Sequence, residues 1–383
     1  MPPPTIATMS KYFGQVKDPR VERTKKHKLL DIMVISICGV ICGGDSWTEI
    51  ELFGKAKHDW LASFLELPNG IPSHDTFGRV FAALDPAQFE QAFVSWIQAV
   101  HQVTAGEIIA IDGKQLRHSY DQSAGQAAIH MVNAWAVTNH VVLGQEKVAT
   151  KSNEITAIPK LLEKLALNGC IVTIDAMGCQ RAIAEQVLEQ GGAYLLALKE
   201  NQGHLYQDVV GLFESAHKID FRGVAHDYCR TVNKGHGRIE SRACWVITEL
   251  AHWGCIRKLD AWPQLNMVVK VQAERRIAET VSQETRYYIS SLNSSAALAL
   301  EAVRGHWGIE NGLHWVLDVV FQEDACRVRQ GDAAENLAIL RQIALNLLKQ
   351  EPTLKVGVKA KRLRAGWDER YLRRVLSALA APN

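Results

Sequence analysis

A chain of 383 residues, 47% hydrophobic and 22% charged, can bury one large core or two to three modest ones and is too apolar to be disordered. Its formal net charge of +2 neither requires nor excludes a nucleic-acid partner, because such binding needs local rather than total positive charge. The longest early apolar run, LLDIMVISICGVICGG at 29–44, contains Asp31 and falls short of the ~20 apolar residues that a membrane span needs, so it reads as a buried helix.

The opening MPPPTIATMSKYFG has no basic start leading into an apolar stretch, which predicts a cytoplasmic protein with no membrane partner. Eight cysteines lie scattered without a C-x-x-C pair, which disfavours zinc fingers and a disulfide framework and predicts reduced, mostly buried thiols. Both ends are basic. Seven Lys/Arg fall between Lys11 and Lys28, and eight between Lys355 and Arg374. They fit either a solvated surface or one that tracks phosphates.

In chain order, LLDIMVISICGVI, WTEIELFGKAKHDWLASFL, HDTFGRVFAAL and QFEQAFVSWIQAV carry apolar residues three and four apart and predict four helices, with Ser73 and Asp75 as candidate caps of the third. Residues 1–105 read as an N-terminal helical module. At Ile108 the period changes. IIAID, AIHMVNAWAV and HVVLGQEKV read as strands, followed by a helix at about 155–167, a strand in GCIVTIDA, a helix at 181–190 and a strand in AYLLALK. Three strands followed by alternating helix and strand imply an α/β architecture, a mixed sheet with helices packed on it. From 201 to about 295 the pattern favours strands (RACWVIT, NMVVKVQAE, TRYYISS) and reads as a mostly β insertion. Helices resume near 296, and residues 351–383 form a basic helical segment.

Two runs fit for buried strands end in acid and then glycine, IIAIDG at Asp112 and VTIDAMG at Asp175. Where such strands are neighbours, their carboxylates can converge, and the fourth strand of this order can lie beside the first through a right-handed crossover. A third acid comes from EAVRGHWGIENGLHWVLDVVFQED at 301–324. On a helix at about 100° per residue, Ile309, Leu313, Val316, Leu317 and Val320 share a face. His306, Glu310, His314 and Asp318 follow at intervals of four from the edge of that face, so Glu310 borders the buried surface. Three convergent carboxylates make an all-oxygen set suited to Mg2+ or Mn2+. Taken singly, each Asp also reads as a helix cap or turn residue. Two rivals stand: His306, Glu310 and His314 as zinc ligands, or Asp318, Glu323 or Asp324 as the third oxygen donor. Lys114, Arg117, Lys199, Asn201, Gln202 and Arg304 sit at predicted element ends near the acids, where a backbone phosphate would lie. Trp307 and Trp315 can stack on bases or pack. NKGHGR at 233–238, with Arg238, reads as a basic hairpin tip.

The strings AIDGKQLRHSYD, KSNEITAIP, TIDAMGCQ, ALKENQG, KGHGR, RYYISS and HWGIENGLHWVLDVVFQEDACRVRQG resemble the bacterial insertion-sequence transposases that include the H-repeat-associated proteins linked to Rhs elements. The resemblance covers nearly the whole chain. It implies an RNase H-like catalytic core over 106–350, interrupted by the 201–295 insertion, with Asp112, Asp175 and Glu310 as a DDE triad. It also implies binding of terminal-repeat and target DNA, a homodimer on paired ends, a nucleoid location, and two divalent ions that activate the attacking oxygen and stabilise the leaving one. The DNA contacts expected are Lys114, Arg117, Lys199, Asn201, Gln202, Arg238 and Arg304, together with His306, Trp307 and His314. Related groups carry Tyr, Arg and Lys around the catalytic Glu, where this chain has Val303, His306 and Leu317. A DNA-binding relic that never cuts and a nuclease without strand transfer are the alternative functions.

Overall fold

The computed structural model describes residues 4–101, 104–120, 127–149, 152–235 and 237–379. Among the described residues thirteen α-helices run in chain order as α1 (Pro4–Phe13), α2 (Leu29–Ile41), α3 (Trp47–Ala56), α4 (His58–Ala62), α5 (His74–Ala83), α6 (Pro86–Val100), α7 (Glu154–Glu163), α8 (Arg181–Glu189), α9 (Gly203–Lys218), α10 (Ala296–Ile309), α11 (Ala333–Gln350), α12 (Val358–Trp367) and α13 (Glu369–Val375). Local chemistry starts several of them. Ser46 and Glu49 form a reciprocal capping box on α3, Ser73 caps α5, Asp85 with Pro86 opens α6, and Ser295 caps α10.

The strands are β1 (Ile108–Gln115), β2 (His130–Ala136), β3 (Val141–Lys147), β4 (Ile171–Ile174), β5 (Ala193–Leu198), β6 (His226–Gly235), β7 (Arg238–Ile247), β8 (Met267–Ile277) and β9 (Thr280–Ser290). Among the described residues they form one sheet in the order β3-β2-β1-β4-β5-β9-β8-β7-β6. β1 pairs antiparallel with β2 and parallel with β4, and β4 runs parallel with β5. The mixed sheet expected from the sequence is therefore present, with the first and fourth strands as neighbours. The anticipated β region does not stand apart. Its four strands form an antiparallel meander that joins β5 through β9 and continues the same sheet.

Two apolar layers cover the sheet. Ile108, Ile171, Leu195, Val246 and Val269 pack on one side with Ala299, Leu300 and Val303 of α10. Alternate residues such as Ile109, Ile111, Val172 and Leu196 belong to a larger core with α2, α5, α6, α7 and α11. Within that core α11 is buried along almost its whole length and still carries Asn336, Arg341, Gln342 and Asn346. Each of the amides is bonded outward: Asn336 to the carbonyls of Phe81 and Leu84, Gln342 to Asn133 and Gln145, and Asn346 to both backbone groups of Val142. Asn346 thus closes part of the β3 edge, whereas the opposite edge, β6, is mostly exposed.

Three expectations are corrected. β1 does not end at Asp112 but runs on to Gln115, paired only with β2. GHLYQDVVGLFESAHK, read as part of a β region, is the sixteen-residue α9. Its Leu205, Val209, Leu212, Phe213 and Ala216 are buried at helical spacing. The second N-terminal helix breaks near Lys57 into α3 and α4. The cysteines are all unpaired thiols, and no described helix is long and apolar enough to cross a membrane.

Candidate active site

The register of β1 on β4 runs from Ile108↔Ile171 to Ile111↔Ile174, so Asp112 and Asp175 are the next residues on two adjacent parallel strands. Beyond that point the strands part. β1 continues along β2 with Asp112 opposite Asn133, while Asp175 turns the chain back, its Oδ1 accepting the Met177 amide at 3.0 Å and the Gly178 amide at 3.2 Å. Gly178 is required there, because a Cβ would come within 2.3 Å of Ile174 Cγ2. Glu310 arrives from the far side, just past α10, on two π-helical turns spanning Glu310–His314 and Val316–Val320. All three carboxylates line one cavity of about 790 Å³, together with Lys199, Asn201, Tyr206, Arg286, Tyr287, His306 and Trp307.

Charge is unbalanced at this point of the sheet. Burial pushes the Asp112 carboxyl up to about 7, opposed by the Gly113 amide and reinforced by the negative charges of Asp175, Glu154 and Glu310. Asp175 is also raised, by burial and Glu154, against the Gly178 and Met177 amides and Lys199. Burial depresses His306 to about 4 and His314 to about 3, so both imidazoles are neutral near pH 7. His306 Nδ1 lies 3.2 Å from Thr173 Oγ1.

The other residues singled out from the sequence divide. Lys199, Asn201, His306 and Trp307 line the cavity; Asn201 also donates to the Ala176 carbonyl at 2.7 Å, and Gln202 to that of Cys179, so this pair braces the turn after Asp175. Arg238, Arg304 and Trp307 line an adjoining cavity of about 650 Å³ with Arg242, Arg275 and Arg286. Arg286 holds its guanidinium 4.0 Å over the Trp307 ring, on the wall the two cavities share. Lys114 is turned inward, where Asp318 at 2.5 Å and Glu323 neutralise it, and it is not presented to the cavity. His314 is likewise turned toward Asp112, and Arg117 is exposed beside Asp324 at 3.3 Å. Trp315 is exposed, not packed.

Glu154 escaped the sequence reading. It opens α7 after the Asn153 cap, a position any acid favours, and only the packing of α7 on β2 and β3 brings it to the site. Its Oε1 lies 2.8 Å from His130 Nε2 and sits over Gly113, where a Cβ would fall 2.0 Å from the same oxygen.

Comparison with known proteins assigns the chain. The profile described as "Transposase DDE domain" matches residues 104–347, and the one described as "DDE_Tnp_1-associated" matches 10–97. The chain belongs to the DDE transposase family. It is 41% identical over 378 residues to "Putative transposase YncI" of Escherichia coli O157:H7, covering 98% of this chain and 95% of that one. To "H repeat-associated putative transposase YhhI" of Escherichia coli strain K12 it is 40% identical over 380 residues, covering 97% and 98%. The solved synaptic complex of piggyBac transposase with hairpin DNA aligns at a TM-score of 0.43 and 9% identity over 97% of this chain and 76% of that one. The DDE domain of this transposase-family chain is RNase H-like, as the resemblance implied.

DDE transposase domains generally use divalent metals. The donor set of this member fits one in kind: hard carboxylate oxygens, with Asp112 lifted by burial and further by the neighbouring carboxylates. It is not closed around an ion. Among the described residues no three His, Cys, Asp or Glu side chains are close enough to hold a metal, and that applies equally to the triad and to the His306, Glu310, His314 zinc alternative. Of the C-terminal cations of this transposase-family chain, Lys361 and Arg362 face inward. Lys361 bonds the Leu348 and Glu351 carbonyls, and Arg362 bonds Val40 O and Asp45.

Proposed function

We propose that this chain binds the ends of an insertion sequence and cuts and joins DNA there, with Asp112, Asp175 and Glu310 as the acidic triad and two Mg2+ or Mn2+ ions as cofactor. One observation carries the reading: three acids from distant parts of the chain line a single cavity, and the Asp112 carboxyl is raised in part by the other two. Bound by such a set, a divalent ion supplies a nucleophile of lowered pKa and offsets the charge that develops on the phosphoryl oxygens. The chain's own residues do the rest. Asp175, with Oδ1 held by two amides, keeps Oδ2 as a donor, and Asn201 and Gln202 hold the turn that aims it. Lys199 and Arg286 place positive charge on the cavity wall for the phosphate backbone, and Arg238 and Arg304 extend it into the adjoining cavity. Trp307 and Tyr287 offer ring faces to bases. Paired ends call for two copies of the chain.

The test is cleavage and joining of labelled element-end DNA in Mg2+ or Mn2+. Asp112→Ala, Asp175→Ala and Glu310→Ala should each abolish cleavage while DNA binding persists. Binding without cutting by the unaltered chain would identify a relic, and cutting without joining a nuclease. Undiminished cleavage by any of the three variants refutes the triad.

A further inference from the structure

The polar residues His306, Glu310, His314 and Asp318 recur every four positions, and three of the four end on the two strands that carry the aspartates. His306 Nδ1 meets Thr173 Oγ1 at 3.2 Å, two residues before Asp175. His314 Nδ1 lies 3.6 Å from Asp112 Oδ2. Asp318 Oδ1 is 2.5 Å from the ammonium of Lys114, two residues after Asp112 and so on the same face of β1. Glu310 stands between these contacts and faces the cavity.

We infer that this stripe is a docking seam which sets Glu310 against the aspartate pair, and that Lys114 is the positioning residue pinning its far end. The inference rests on the triad proposed above. Helix winding supports it. On an α-helix, a four-residue repeat drifts about 40° around the axis at each step. The segment after Ile309 is instead π-helical, its i→i+5 hydrogen bonds making a wider turn that keeps such a repeat closer to one line. Long π stretches are rare, so one that persists needs contacts to hold it.

Lys114 supplies such a contact within a buried, charge-balanced group. Its ammonium also pairs with Glu323, and Arg341 Nη1 of α11 is 3.7 Å from the other Glu323 oxygen. The Lys114, Glu323 and Arg341 side chains are 8%, 2% and 3% exposed. Ion pairs buried this deeply contribute little net stability compared with apolar packing, and their best-attested use is to fix register. Here the register fixed is that of the Glu310 helix on the Asp112 strand.

The test compares the full-length protein with Lys114→Met and Lys114→Arg by amide hydrogen exchange, by Mn2+ binding followed through the EPR signal of the free ion, and by cleavage. Lys114→Met should speed exchange over 310–320 at least tenfold with α7 unchanged, weaken Mn2+ binding at least tenfold, and lose cleavage that returns in excess Mn2+. Lys114→Arg should restore all three. If Lys114→Met does not fold, Asp318→Asn, which leaves Lys114 paired with Glu323, should give the same pattern more weakly. Exchange and Mn2+ affinity indistinguishable from the unaltered chain in the folded variant overturn the seam while leaving the triad intact. A Glu310→Gln variant that binds Mn2+ and cleaves normally removes the triad, and the seam with it.

Discussion

At pH 8 the Asp112 carboxyl is ionised against the preference of its surroundings, since burial and three nearby carboxylates hold it at about 7. A raised acid pKa means that the folded chain binds the proton more tightly than the unfolded one. The penalty is present above pH 7, shrinks as pH falls toward 3.8 and is gone below it. Asp112→Asn should therefore stabilise the metal-free protein at pH 8 by ~2–4 kcal/mol and give no gain at pH 4, as read from urea melts. An alanine in place of Gly113 collides with the movable end of Glu154, so Gly113→Ala should displace that carboxylate and break its bond to His130. A double-mutant cycle with Glu154→Ala should show a coupling of about 1 kcal/mol, and additive effects would show that Glu154 does not occupy the space over Gly113.

The helix bearing Glu310 docks through two neutral imidazoles, which makes its attachment sensitive to acid. His306 and His314 have depressed pKa values, about 4 and about 3 against 6.5 when unfolded. Stability is full above 6.5 and falls as pH drops toward those values, opposed by the gain at Asp112. His306→Leu should reduce the slope of stability against pH between 6.5 and 4 by up to ~1.4 kcal/mol per unit. An unchanged slope would mean that His306 is not buried as a neutral ring. At this scale much was legible in the sequence. β1, β4 and the pairing of Asp112 with Asp175 followed from two apolar runs ending in acid and glycine. The helical period of α9 was also written in Leu205, Val209, Leu212 and Phe213, but neighbouring β-rich segments masked it. The inward turn of Lys114 and the arrival of Glu154 were not legible, because each depends on tertiary packing: on Glu323 for the first, on the docking of α7 against β2 and β3 for the second. Nor does any four-residue repeat announce by itself a π-helical turn in place of an α-helical one.

Across the whole molecule α11 ties the N-terminal helices to the sheet. Its Asn336 holds the end of α5, and its Asn346 bonds both backbone groups of Val142 on β3. Asn346→Leu would leave a buried amide and a buried carbonyl unpaired, at a cost of ~2–4 kcal/mol. Because the helices and the sheet share one core through α11, that loss should shift a single unfolding transition, followed by circular dichroism, and not split it in two. At the other end of the sheet β6 offers its outer row of peptide groups to water, with Asp227, Arg230 and Lys234 among the exposed tips of Tyr228 and Val232. Those charges guard against zippering between molecules. Neutralising Arg230 and Lys234 together would turn this border into a template for sticky strand-to-strand growth, and concentrated solutions of such a variant should cloud where the unaltered chain stays clear.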